Sequence, residues 1–175
     1  MRALRPLLFL SAVLLTQPLS AALPVGVQAP DFTTTGAVGG RPFTLHLKDQ
    51  LRHGTLVLYF FPKAFTQGCT LEAKAFADAT PEFRKAGARV VGMSADNLDT
   101  LKKFSTEACR SKFPVATATP ETIKAYDVVL KQKPELTDRT SYVIDRKGRI
   151  VMVHSDLDWK DHVAKTLAAA KALKR

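Results

Sequence analysis

The stretch Thr55-Leu56-Val57-Leu58-Tyr59-Phe60-Phe61, closed by Pro62, decides the architecture of this chain. It is β-branched, aliphatic or aromatic throughout, with no polar alternation. Such a run describes a strand covered on both faces, as a central strand between helix layers is. Pro62 cannot continue a hydrogen-bonded ladder and ends it. After a short loop, residues 69–86 read as a helix, with Leu71, Ala75, Phe76 and Ala79 toward one side. Thr80-Pro81 marks a kink or restart in it, and Gly87 a stop. Residues 88–93 form a second buried strand.

Working outward, residues 25–32 are an extended entry broken by Pro30. Residues 36–40 hold three glycines and predict a hairpin turn, with the second short strand over 42–47. Asp96 and Asn97 are candidate caps for a helix running to about Cys109. Lys112-Phe113-Pro114 breaks that helix and opens another extended piece, and 121–126 is a short helix. Residues 141–144 and 149–154 read as strands joined by a turn at Asp145-Arg146-Lys147-Gly148. Residues 160–173 close the chain as a helix. This order predicts an α/β, thioredoxin-like three-layer fold, a central mixed sheet with helices on both faces.

The N-terminus reads differently. Arg2 and Arg5 are followed by an apolar run over 7–16 and then by Ser20, Ala21 and Ala22. That is the layout of a secretory signal peptide over residues 1–22, cut after Ala21 or Ala22, ahead of one domain over 23–175. The run is short of the ~20 apolar residues a spanning helix needs. The expectation is an exported, periplasmic protein (secretion being the weaker alternative) with no stable membrane insertion after cleavage. Removing both arginines lowers the formal charge from +10 to +8. The remaining basic residues are spread out and not interleaved with aromatics, which argues against a nucleic-acid platform.

Two cysteines, Cys69 and Cys109, are too few for a disulfide scaffold in 175 residues. The pair is therefore either one structural bond or chemistry. Cys69 falls in the first turn of its helix, where free amides and the helix dipole favour a thiolate. Thr66 stands at the cap position three residues earlier, within reach of the sulfur or of a bound oxygen. Reducing a peroxide also needs donors and a fixed cation at the departing oxygen. Arg139, just before the 141–144 strand, is the candidate cation; by itself it reads rather as a surface charge at a sheet edge. His46, His53, His154 and His162 show no metal-ligand spacing. His154-x-Asp156-x-Asp158 reads as a polar strand end, and Trp159 as a covering aromatic.

Pro62-x-x-x-Thr66-x-x-Cys69 resembles the active-site signature of peroxiredoxins. Gln28-Ala29-Pro30-Asp31-Phe32, Leu58 to Lys63, Gly68-Cys69-Thr70-x-Glu72 and Arg139 to Asp145 extend the likeness, which is closest to the bacterioferritin-comigratory, Q-type branch. The resemblance implies a thiol-dependent peroxidase acting on hydrogen peroxide and organic hydroperoxides. Cys69 would be peroxidatic, with Pro62, Thr66 and Arg139 completing the pocket and Glu72 helping to hold the arginine. It implies a thioredoxin-like reductant, no metal, haem or flavin cofactor, and a monomer. Departures are Gln67 where Pro or Ser is usual, Ala64-Phe65 in place of an acidic pair, and Lys74 where many members carry the resolving cysteine. A second group places that cysteine in the next helix, near Ser105 here. Cys109 shares a helix face with Ser105 and is the candidate resolving residue.

Two rivals remain at this level. An exported disulfide reductase would need Cys-x-x-Cys, but position 66 is Thr, and Thr140 rather than a proline follows Arg139. A non-catalytic binding or chaperone module of the same fold would keep the cysteines as a structural bond. Apart from either rival, Cys109 also reads as a small core residue, since Leu101, Phe104 and Ala108 lie on the same side.

Overall fold

The computed structural model describes residues 22–174. The predicted signal segment therefore lies outside the described residues except for Ala22. The elements run β1 (Thr33–Val38), β2 (Arg41–His46), α1 (Leu47–Arg52), β3 (Thr55–Phe60), α2 (Gln67–Lys85), β4 (Ala88–Ser94), α3 (Leu98–Glu107), β5 (Val115–Thr117), α4 (Pro120–Ala125), β6 (Thr140–Ile144), β7 (Ile150–Ser155) and α5 (His162–Leu173). A 3-10 turn, Trp159–Asp161, leads into α5.

The sheet has seven strands in the order β2-β1-β5-β4-β3-β6-β7. The β3/β4 and β4/β5 pairs are parallel; β3/β6, β6/β7, β1/β5 and β1/β2 are antiparallel. This is the thioredoxin-like α/β arrangement the element order implied. β3 lies near the middle, and all six of its residues are buried. Its alternation divides the core. Val57 and Tyr59 join Phe76 of α2, Phe104 of α3 and Ala170 of α5 on one face. Leu56, Leu58 and Phe60 join Leu47 and Leu51 of α1, with Ile123 and Tyr126 at α4, on the other. Each large apolar side chain so buried contributes on the order of 1.5–3 kcal/mol.

The structure corrects the sequence reading in several places. Gly36 lies inside β1, not in the turn: a Cβ there would stand 2.7 Å from Val115 O, so glycine is what lets β5 pair alongside. The hairpin turns at Gly39 and Gly40, both with positive φ. Residues 47–52 form α1 rather than extending the second strand, because Leu47 N turns to bond Phe32 O and Leu47 and Leu51 share one buried face. α2 passes through Pro81 as one helix, and Thr80 bonds back to Phe76 O within it. Cys109 lies just beyond α3 rather than in its last turn.

Candidate active site

Strand β3 delivers the chain to residues 61–66, and three hydrogen bonds to other parts of the chain hold that loop. Phe61 N donates to Met93 O at 2.9 Å. Thr137 Oγ1 donates to Phe61 O at 2.6 Å. Ala64 N donates to Asp96 Oδ2 at 2.7 Å, and Ser94 Oγ donates to the same oxygen at 2.8 Å. Asp96 thus supports the loop, while Asn97 alone caps α3, accepting from Thr100 N at 2.9 Å. Phe65 has φ 64°, a left-handed conformation, and rests edge-on against Phe104 with ring centroids 5.2 Å apart.

Thr66 is the N-cap residue of α2 but makes no side-chain cap bond. Its hydroxyl donates instead to Lys63 O at 3.0 Å and makes no bond to the sulfur. The first intrahelical bond of the turn is Thr70 N to Thr66 O at 2.9 Å. The amides of Gln67, Gly68 and Cys69 are therefore the free first-turn donors of the helix. Cys69 is 1% exposed.

Arg139 immediately precedes β6, which pairs antiparallel with β3 and so begins beside the N-terminus of α2. Its Nη2 donates to Cys69 Sγ at 3.4 Å, its Nη1 pairs with Glu72 Oε2, and its Nε donates to Leu157 O at 2.8 Å. The guanidinium is thereby fixed from three sides. A Cβ on Gly68 would stand 3.3 Å from Arg139 Nη2 and 3.7 Å from Trp159 Cδ1, so glycine at 68 leaves room for both the guanidinium and the indole. Glu72 is fully buried. Desolvation pushes its carboxyl up to about 8, against the opposing pull of Arg139. Arg139 is raised by the charges of Glu72 and Cys69 acting against its own burial.

Behind Glu72 sits His162, fully buried. Its Nδ1 is 2.8 Å from Ser141 Oγ and its Nε2 is 2.9 Å from Asp156 O. Burial lowers it to about 4. The polar strand end predicted at 154–158 is therefore also the wall of this pocket. Spacing alone did not reveal Asp96, Thr137, Trp159 or His162. The pairs Ala64–Asp96 and Glu72–His162 are formed by the sheet, not by neighbours in the chain.

Cys69 and Cys109 are both free and buried, in one apolar cluster with Phe61, Phe76 and Phe104. Burial pushes the Cys109 thiol well up. After it, Arg110 and Ser111 both take left-handed conformations, with φ 51° and 56°. Such non-glycine geometry carries strain. Arg110 pairs with Asp78 of α2 and ties this turn to the helix bearing Cys69. Beside the loop, Pro62, Thr66, Leu130, Leu136 and Leu157 line an apolar groove of about 520 Å³, with Lys63 and Lys133 also in its lining. Among the described residues, no helix is long and apolar enough to cross a membrane.

A sulfur beside a fixed cation, at the free amides of a helix start and next to an apolar groove, is equipped to attack a polar bond whose leaving group gains negative charge. Comparison with known proteins places this arrangement in a family. The model of the AhpC/TSA family matches residues 25–153. The chain is similar to Peroxiredoxin Bcp of Bacillus subtilis (strain 168), 31% identical over 153 residues that make up 84% of this chain and 94% of that protein. It is also similar to the chloroplastic Peroxiredoxin Q of Sedum lineare, 32% identical over 168 residues, covering 94% and 87%. The crystal structure of Peroxidoxin BcpB from Mycobacterium tuberculosis superposes with a TM-score of 0.76 at 31% identity, over 85% of this chain and 97% of that one. The chain thus belongs to the AhpC/TSA family and is a peroxiredoxin, a thiol peroxidase.

Proposed function

We propose that Cys69 is the peroxidatic residue of an exported enzyme that reduces hydrogen peroxide and organic hydroperoxides. The observation that carries this reading is Arg139 Nη2 at 3.4 Å from Cys69 Sγ, at the first turn of α2. The Cys69 thiolate attacks the outer peroxide oxygen. The O–O bond breaks, the sulfur becomes a sulfenic acid, and the departing oxygen takes a proton and leaves as water or alcohol. Arg139 and the first-turn amides stabilise the charge on that oxygen. Pro62 stiffens the loop, and the Thr66 hydroxyl turns from Lys63 O to the bound peroxide. The groove at Leu130, Leu136 and Leu157 gives the organic part of a hydroperoxide apolar surface to rest on.

Cys109 is the resolving residue in this reading. Its sulfur attacks the sulfenic sulfur, a disulfide forms and water leaves. Because Cys109 is buried behind a strained turn, that step requires the turn at Arg110–Ser111 to unwind. A thioredoxin-like dithiol then takes over the disulfide. Export rests on the pattern of residues 1–22.

Mass spectrometry of the full chain after expression in a Gram-negative host, with one equivalent of peroxide and a thiol-blocking agent, tests the whole scheme. The expected mature mass begins at Ala22 or Leu23, and the expected product is a Cys69–Cys109 disulfide. Cys69→Ser should abolish peroxide reduction with the fold retained; an active Cys69→Ser protein overturns the assignment. Cys109→Ser should stop at the Cys69 sulfenic acid, and full turnover with a thioredoxin donor would remove Cys109 from the scheme.

A further inference from the structure

The turn that carries Cys109 has one polar side-chain tie to the rest of the molecule. Among the described residues, the ion pair of Arg110 with Asp78 is the only side-chain hydrogen bond or ion pair made by residues 108–113. The backbone bonds of the turn stay local. Cys109 N donates to Phe104 O at 3.1 Å, Ser111 N to Ser105 O at 2.9 Å and Lys112 N to Cys109 O at 2.9 Å. The chain rejoins the sheet at Pro114, whose carbonyl accepts from Gly92 N at 3.1 Å. Arg110 and Ser111 are both left-handed, so the turn is a strained segment held in place.

A cleft of about 360 Å³ lies between this turn and α2, lined by Thr70, Lys74, Glu107, Ala108 and Arg110. Thr70 follows Cys69 in the chain and Ala108 precedes Cys109, so the cleft separates the neighbours of the two cysteines. Along α2, Lys74 lies one turn nearer Cys69 than Asp78 does. An Arg110 that moves toward Cys69 therefore leaves an opposite charge and meets a like one. Glu107, the last residue of α3, lies on the Arg110 side of the cleft and gives it no hold on α2.

We propose that the Asp78–Arg110 ion pair is a latch on the resolving step: it holds the Cys109 turn shut, and its release sets how fast the Cys69 sulfenic acid becomes a disulfide. Asp78 and Arg110 are then positioning residues that act through Cys109. The inference rests on the resolving role given above to Cys109. When the turn opens, the Cys109 thiol gives up its proton and its sulfur attacks the sulfenic sulfur. The S–S bond forms, the S–O bond breaks, and the departing hydroxyl takes a proton and leaves as water. While the turn is shut, Cys109 is fully buried, and burial keeps its thiol protonated. A slow latch leaves the sulfenic acid waiting for a second peroxide, which takes it to the sulfinic acid.

The Arg110 and Asp78 side chains are 49% and 58% exposed, which makes the pair modest in strength and sensitive to salt. Asp78→Asn, Arg110→Gln and the double variant are compared with the unmodified chain. Quenched samples analysed by mass spectrometry give two rates, that of Cys69 oxidation by hydrogen peroxide and that of Cys69–Cys109 disulfide growth. Each single variant speeds the disulfide step about two- to fivefold and leaves the oxidation step unchanged. The double variant is no faster than either single one, because both remove the same contact. Raising NaCl from ~0.05 M to ~1 M brings the unmodified chain toward the Asp78→Asn rate and leaves that variant unchanged. In the reduced protein a thiol reagent labels Cys109 faster by the same factor in the single variants, while Cys69 labels as before. Under excess peroxide, Asp78→Asn accumulates less sulfinic acid.

An unchanged disulfide step in Asp78→Asn, or effects that multiply in the double variant, overturn the latch. Equal acceleration of Cys69 and Cys109 labelling overturns it as well, since that marks a loss of overall stability. If Arg110→Gln disturbs the left-handed turn by itself, Asp78→Asn, which leaves the sequence of the turn intact, decides alone through its rate and its lost salt dependence. Cys109→Ser is assayed in parallel. Full turnover of Cys109→Ser with a thioredoxin donor defeats the resolving role of Cys109, whereas a stalled Cys109→Ser protein beside an unchanged disulfide rate in Asp78→Asn defeats only the latch.

Discussion

Arg139 divides one guanidinium between two residues of the same helix turn, giving Nη2 to Cys69 Sγ at 3.4 Å and Nη1 to Glu72. The planar fork makes this possible, since a lysine ammonium is a point charge on a flexible stem. Arg139→Lys should therefore keep a positive charge and lose the geometry. The expected loss in kcat/KM for hydrogen peroxide is about 10²–10³, the usual effect of removing a preorganised donor from a developing oxyanion. Stopped-flow measurement at saturating reductant reads it; a rate within threefold of the unmodified enzyme would sink the role of the fork.

Folding stability should carry the same buried pair as a pH signature. Glu72 moves from its ordinary 4.5 to about 8, and His162 from 6.5 to about 4. The raised carboxyl contributes stability that is complete below 4.5 and is lost as pH rises through 8. The lowered imidazole contributes stability that is present above 6.5 and is lost as pH falls through 4. Between 4.5 and 6.5 the unfolded chain has its proton on His162 and the folded chain on Glu72, so the slopes cancel. Urea midpoints should be flat there and fall from 6.5 to 8, with a limiting slope of about 1.4 kcal/mol per pH unit. Glu72→Gln should abolish the fall and leave stability rising from pH 4 to 6.5.

Asp96 accepts from Ala64 N and Ser94 Oγ together, so it couples the end of β4 to the loop before Cys69. In Asp96→Ala both donors lose their partner. The expected cost is about 1–3 kcal/mol in unfolding free energy, accompanied by a slower reaction with peroxide. Thermal melts and the peroxide rate together check this; a stable variant with a normal rate would remove Asp96 from the support of the loop.

Gly92 on β4 faces the Tyr59 ring, and a Cβ there would stand 2.8 Å from the phenol. Tyr59 stacks on Phe76 of α2 with centroids 4.3 Å apart and cannot yield without moving the helix that bears Cys69. Gly92→Ala should cost about 1–3 kcal/mol through overpacking and should slow peroxide reduction as well. Melting temperature and rate falling together is the expected result, and a variant as stable as the unmodified chain would contradict it.

The central strands, α2, the closing helix and the Cys69 turn were legible because each has a long run with a single periodicity. Helix α1 was not, since six residues, Leu47–Arg52, hold too few turns for a period to declare itself. Gly36 resembled a turn glycine because nothing local reveals that Val115 crosses beside it. Around the site, Cys69 and Glu72 are neighbours on one helix and could be read together. Asp96, Thr137 and His162 reach the site only through strand order, as Ala64–Asp96 spans 32 positions and Thr137–Phe61 spans 76. The Thr66 hydroxyl was expected at the helix amides and bonds Lys63 O instead, a choice between two local partners that residue type does not decide.

The position of Trp159 beside Gly68, next in the chain to Cys69, equips the enzyme for an optical readout of its own. It is the single tryptophan of the chain, and its indole borders the space between Gly68 and the guanidinium. Emission from this protein is therefore not an average over many environments. Oxidation of the neighbouring Cys69 is therefore expected to change the emission of one fluorophore, which stopped-flow fluorescence during reaction with hydrogen peroxide would read without a label.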